Sequence, residues 1–177
     1  MKLKEKLIKS EKIYSGKILD LKLDTVELPN GKTTLRENVI HKQAVAVLPI
    51  QHNGKVILIK QYRHCTGEEL WEIPAGSIDQ EENIEKALQR ELSEEIGFIA
   101  KKVHKLCAAY TTPGFTSEFT HFFVAEKLIS KKIKGDDDEF IEAKEYTIEE
   151  IFKMIKNNKI KDAKTILAVS LYKLTKV

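Results

Sequence analysis

A chain of 177 residues, 42% hydrophobic and 32% charged, has the size and composition of one globular domain, because two independent cores would leave each half too short to bury much. No apolar run approaches the roughly 18 to 20 residues of a membrane span, and the charged opening, residues 1–12, lacks the apolar stretch of a secretory signal. A cytoplasmic protein without membrane contact is expected. The net charge of +3 is spread without interleaved aromatic residues, a weak basis for nucleic-acid binding, and Cys65 and Cys107 have neither the number nor the spacing of a disulfide framework or zinc site.

In chain order, Leu19, Leu21 and Leu23 alternate with charged residues and run into Pro29-Asn30-Gly31, so 17–28 and 33–40 read as an antiparallel hairpin. The short apolar runs 44–50 and 56–59 flank His52-Asn53-Gly54 and read as a second hairpin, followed by a strand over 70–73 that ends at Pro74. The spacing predicts a helix over 83–96, stopped by Gly97. Strands over 103–110 and 120–125 then flank the loop Thr111-Thr112-Pro113-Gly114-Phe115. Thr147-Ile148-Glu149-Glu150 is a capping-box pattern opening a helix with Ile148, Ile151 and Ile155, and Asp162 caps a last helix carrying Ile166, Leu167, Leu171 and Leu174. The order of elements predicts a mixed α/β fold.

The central helix carries the chemistry. Asp79, Glu81, Glu82, Glu85, Glu91, Glu94 and Glu95 face only Lys86 and Arg90, so seven acids against two bases leave a local balance of −5 in a chain that is +3 overall. At 100° per residue, Ile84, Ala87, Leu88, Glu91 and Glu95 share one sector, so the apolar stripe continues into carboxylates where core residues are expected. Burying unpaired carboxylates is costly, whereas a divalent cation turns them into oxygen ligands. Mg²⁺ is bound by a few carboxylates together with substrate phosphates, so this face points to chemistry on a phosphate ester or anhydride.

The spacing is more specific than the composition. Gly76 is followed after five residues by Glu82, after seven more by Arg90-Glu91-Leu92, and then by Ser93-Glu94-Glu95-Ile96-Gly97-Phe98. At every fixed position this matches Gly-x5-Glu-x7-Arg-Glu-U-x-Glu-Glu-x-Gly-U, with U a bulky apolar residue, and the chain resembles the Nudix hydrolases, which cleave a nucleoside diphosphate linked to another group by water attack at phosphorus. The resemblance implies an α/β/α sandwich with a mixed sheet and an N-terminal antiparallel β-hairpin. It further implies one Nudix domain over 1–177, with 1–42 as the hairpin segment and 43–177 as the core. Mg²⁺, or Mn²⁺ in its place, is the implied cofactor, held by Glu91 and Glu95, with Glu94 auxiliary and the Ala75 carbonyl as a further ligand. Arg90 and Glu82 hold the box together, and Gly76 and Gly97 permit the loop geometry at either end.

Outside the box, Pro113 stands 15 residues beyond Phe98 in a Thr-Pro-Gly segment, resembling the ADP-ribose pyrophosphatase branch. Tyr14-Ser15-Gly16-Lys17, the stretch 24–32 with Arg36-Glu37, Gln61-Tyr62-Arg63 and the acidic stretch Asp136 to Glu142 agree with it. Departures are small: His41 is not followed by Pro-Gly, and Ser77 replaces a frequent Lys. This resemblance implies hydrolysis of ADP-ribose to AMP and ribose 5-phosphate, with Glu139, or failing that Glu142, as the base that activates water. Arg63 is implied as a phosphate contact, Tyr14, Arg36 and Pro113 as substrate contacts, and Glu118 as touching the terminal ribose or a metal. Trp71 either stacks on a base or belongs to the core. A homodimer formed through the N-terminal strands is implied as well. Two alternatives stay open: the same hydrolysis on another nucleoside diphosphate sugar or a dinucleotide, and a non-catalytic ADP-ribose sensor.

Overall fold

The computed structural model describes residues 3–131, 133 and 140–175. Among them are ten strands: β1 (Lys6–Ser15), β2 (Leu19–Glu27), β3 (Thr33–His41), β4 (Ala44–Pro49), β5 (Val56–Arg63), β6 (Glu68–Glu72), β7 (Ala75–Ser77), β8 (Phe98–Tyr110), β9 (Phe119–Ser130) and β10 (Ile141–Tyr146). The helices are α1 (Ile84–Glu91), which continues into a π-helical turn (Leu92–Ile96), α2 (Ile148–Lys156) and α3 (Ala163–Thr175). The chain divides into two compact units, one comprising the segment up to Gln43 with Tyr110–Phe119, the other comprising Ala44–Ala109 with the segment from Thr120.

The smaller unit is an antiparallel meander, β1-β2-β3. The expected hairpin is present: Leu19 pairs with His41 and Glu27 with Thr33, and Gly31, at φ +81°, donates its N–H to the Leu28 carbonyl at 2.9 Å. β1 adds an edge strand that is solvent-exposed throughout, with register shifts between Leu7 and Lys9 and between Lys12 and Tyr14. Its apolar residues do not alternate with polar ones, so it gives no period-two signal.

The larger unit has two sheets, β10-β5-β6 and β7-β4-β9-β8, with β4 parallel to β9 and antiparallel to β7. β4 is buried along its whole length, as a strand covered on both faces must be. Ala46 and Leu48 pack with Phe122, Ile151, Ala168 and Val169 in the core that takes up α2 and α3. Val47, one residue out of phase, packs with Leu88, Leu92, Ala100 and Ala125 beneath α1. Helices therefore cover both sides of the β4 sheet, the expected α/β/α arrangement. Trp71, partly buried, packs against the first core and meets Tyr146 edge to face at 5.3 Å.

Three expectations need correction. His52-Asn53-Gly54 does form a turn, with Gln51 N–H donating to the Lys55 carbonyl at 2.8 Å, but only Ile50 and Val56 form a bridge across it before β4 and β5 part into different sheets. The acidic stretch, expected as a loop leading into a helix, instead ends within a strand: Ile141 and Glu142 open β10, which pairs with β5 before α2 begins. The helix expected over 83–96 is α-helical only to Glu91; beyond it the Gly97 N–H bonds five residues back to the Leu92 carbonyl, and Gly97 takes φ +75°. A wider turn at this point alters how Glu94 and Glu95 project, and such turns are frequent at functional sites.

Candidate active site

The carboxylates of the acidic helix fold onto β7. Asn83 caps α1 by accepting the Lys86 N–H at 2.9 Å, Ala87 and Leu88 anchor the helix in the core, and Gln89 exchanges two 2.8 Å bonds with the Ala100 backbone. On this anchored face Glu91 and Glu95 are 7% and 9% exposed, while Glu94 is half-buried. Glu95 Oε2 accepts the Ala75 N–H at 3.0 Å. Gly76 lies against Glu91 so closely that a Cβ at position 76 would collide with the carboxylate. Gly76 sits in β7, so its lack of a side chain serves a close approach rather than the loop geometry expected of it.

Arg90 joins the parts. Nε donates to Glu82 Oε1 at 3.1 Å, Nη2 to Glu82 Oε2 and to the Ser77 carbonyl at 3.0 Å each, and Nη1 to Glu91 at 2.7 Å and Glu94 at 3.0 Å. All five guanidinium donors are used, a fork that lysine cannot reproduce. The bond to Glu82, reinforced by Glu91 and Glu94, raises the Arg90 pKa above its already high ordinary value. Arg90 and Glu82 thus hold the loop to the helix, as the sequence implied.

The donor set is carboxylate with an adjacent carbonyl, the chemistry of a hard divalent cation. Two carboxylates buried to this degree beside a glycine with no Cβ fit such an ion. Among the described residues no three acidic, histidine or cysteine side chains already converge as a metal cage; Arg90 Nη1 draws Glu91 and Glu94 to itself instead.

The other implied residues fall in three places. Arg63, at the end of β5, donates through Nε and Nη2 to Glu72, both at 2.8 Å, and this pairing raises its pKa further; Glu95 also acts on it through space. Glu142 is exposed on β10 opposite Lys60, and both β5 and β10 pass beside the π-helical turn. Glu139 lies outside the described residues. Tyr14, Arg36, Pro113 and Glu118 belong to the smaller unit: Tyr14 is exposed, Arg36 forms a forked pair with Glu5 (2.6 and 3.2 Å), Pro113 occupies an exposed turn, and Glu118 accepts the Thr111 hydroxyl at 2.5 Å. Sequence reasoning gave Glu72 no role; its signal was an acidic residue among the apolar Leu70, Trp71 and Ile73.

A family model described as the NUDIX domain matches residues 40–169, and one described as the nucleoside diphosphate sugar hydrolase N-terminal domain matches residues 5–39. The chain belongs to the Nudix family of hydrolases. It is 45% identical over 174 residues to the ADP-ribose pyrophosphatase of Bacillus subtilis (strain 168), covering 97% of this chain and 94% of that one. It is 40% identical over 172 residues to the methanol dehydrogenase activator of Bacillus methanolicus, covering 96% and 93%. A crystal structure of an ADP compounds hydrolase superposes with a TM-score of 0.86 over 96% of this chain and 92% of that chain, at 23% identity, a likeness of fold.

Proposed function

We propose that this protein hydrolyses the pyrophosphate bond of ADP-ribose, releasing AMP and ribose 5-phosphate. The observation that carries the reading is the set Glu91, Glu94 and Glu95, the first two held by Arg90, with Glu91 against Gly76 and Glu95 on the Ala75 N–H, in a chain similar over nearly its full length to an ADP-ribose pyrophosphatase. Glu91 and Glu95, with Glu94 and the Ala75 carbonyl, would hold Mg²⁺ or Mn²⁺. Bound there, the ion supplies positive charge against the phosphate oxygens as charge develops on them.

The chain's own groups do the rest. Arg63 meets the pyrophosphate through Nη1, which makes no hydrogen bond among the described residues. Water is a poor nucleophile and needs a base within hydrogen-bond reach, taken here as Glu139 or Glu142; the passage of β10 beside the π-helical turn supports Glu142. Tyr14, Arg36, Pro113 and Glu118 contribute to the adenosine and ribose ends. The reading places the protein in the cytoplasm as a homodimer formed through the β1-β2-β3 unit.

The test is purified protein with Mg²⁺ against ADP-ribose, other sugar nucleotides, dinucleoside polyphosphates and nucleoside triphosphates, scoring AMP with and without chelator. AMP released fastest from ADP-ribose, and stopped by chelator, is the expected result. Preference for another substrate overturns the substrate, and tight ADP-ribose binding without turnover favours a sensor. Glu95→Gln keeps an oxygen for the Ala75 N–H but removes the charge, so turnover should fall at least about 100-fold with the melting temperature little changed. Unchanged turnover would remove Glu95 from the metal site.

A further inference from the structure

A second charge network, partly buried, lies beside the acidic turn. Glu72, at the end of β6, is 1% exposed, and Arg63 clamps it with two parallel bonds of 2.8 Å. Lys164, in the first turn of α3, lies 3.5 Å from Glu72 Oε2 and 2.6 Å from Asp162 Oδ1. Asp162 Oδ2 accepts the Thr165 N–H at 2.9 Å and the Thr165 hydroxyl at 2.7 Å, and Thr165 Oγ1 accepts the Ile73 N–H at 2.8 Å. The start of α3 is thereby fastened to the strand end that leads through Pro74 to Ala75.

Two carboxylates and two cations balance in charge, yet well-packed apolar residues would stabilise such a site as well or better. What the network does that apolar packing would not is hold one edge of the Arg63 guanidinium. With Nε and Nη2 fixed on Glu72, the Nη1 edge keeps its donors for a ligand, already ordered, in the field of Glu95. Glu72 Oε2 is shared between Arg63 and Lys164, so Lys164 limits how the carboxylate turns and hence where the fork points. Preordering a bidentate cation in this way lowers the cost of fixing it when phosphate binds.

We infer that Lys164, held by Asp162, is a positioning residue for substrate binding, acting through Glu72 on the Arg63 guanidinium. The inference rests on the reading of Arg63 as a phosphate contact. Its test is a double-mutant cycle on the full-length protein with ADP-ribose and Mg²⁺, combining Lys164→Met with Arg63→Lys, together with the Arg63 Nε–H signal in nitrogen-edited NMR spectra.

Lys164→Met is expected to raise KM about five- to tenfold with kcat within about twofold, Lys164→Arg to recover most of that loss, and Lys164→Met to add nothing in the Arg63→Lys background. The Nε–H signal should be sharp in the wild type and broadened in Lys164→Met. A KM effect that adds fully to that of Arg63→Lys, or an unaltered Nε–H signal, overturns the inference. Where Lys164→Met folds poorly, Lys164→Gln takes its place in the same cycle. A wild type without ADP-ribose turnover whose Nε–H signal still responds to Lys164 would overturn the substrate and leave the positioning standing.

Discussion

Position 76 separates the needs of the fold from those of the chemistry. The atoms nearest a Cβ there would be those of the Glu91 carboxylate, the far end of a flexible side chain, and the position needs no left-handed φ. Gly76→Ala should therefore cost about 1 kcal/mol of stability, the low end for overpacking, because a flexible side-chain end absorbs the clash. Turnover should fall at least about 100-fold, since the carboxylate that moves is a proposed metal ligand. Thermal melting beside steady-state kinetics checks both halves, and retained activity would show that Glu91 need not lie against β7. Arg90 works on the same residues from the other side: its Nη1 holds Glu91 and Glu94, so an ion binding those oxygens competes with a fixed guanidinium.

At the scale of elements, α2 is secured by a complete capping box. Thr147 Oγ1 accepts the Glu150 N–H at 3.2 Å, and Glu150 Oε2 accepts the Thr147 N–H at 2.8 Å, a bond that lowers the Glu150 pKa from its ordinary 4.5. A carboxylate with a depressed folded-state pKa contributes stability above its unfolded value and loses it as pH falls through the folded one. Thr147→Ala should cost about 1 kcal/mol at neutral pH. The stability difference between wild type and Glu150→Gln should shrink as pH drops below about 4.5, measured by urea unfolding at a series of pH values; a difference independent of pH would mean that the charged form of Glu150 contributes nothing to the cap.

This cap was legible in sequence because capping is local, as were the β2–β3 turn at Asn30-Gly31, the Asp162 cap of α3 and the box spacing from Gly76 to Phe98. What escaped depends on distant partners. β1 is exposed along its length, and β10 sits at a sheet edge with Glu142, Ala143, Lys144 and Glu145 all exposed, so neither shows an apolar face. The π-helical turn extends a sequence that reads as unbroken helix; it is accompanied by Ser93 donating its hydroxyl to the Lys131 carbonyl at 2.6 Å, a contact no local pattern announces. The engagement of Arg63 by Glu72 is not given even by the β5–β6 register, which sets Arg63 opposite Glu68 and Glu72 opposite Ile59; it depends on two long side chains reaching along the strands.

The molecule as a whole presents an imbalance of exposed apolar surface. Leu7, Ile8, Ile13, Tyr14, Ile18 and Leu35 are each more than half exposed, and all belong to the unit built on β1, β2 and β3. Exposed apolar side chains are what an interface covers, and in the homodimer proposed above a two-fold contact would count each side chain twice. Burying the exposed half of a Leu or Ile gives about 1 kcal/mol, so Leu7→Lys with Ile13→Lys removes about 4 kcal/mol over the two copies and should weaken dimerisation by about 10²- to 10³-fold. Sedimentation across a concentration series checks this, with the wild type sedimenting as a dimer at micromolar concentration and the double variant as a monomer. Because neither substitution touches β7, α1 or the π-helical turn, chelator-sensitive catalysis should survive in the variant. A rise in KM on dissociation would then assign part of the proposed ADP-ribose site to the partner subunit, whereas an unchanged KM would confine the whole site to one chain.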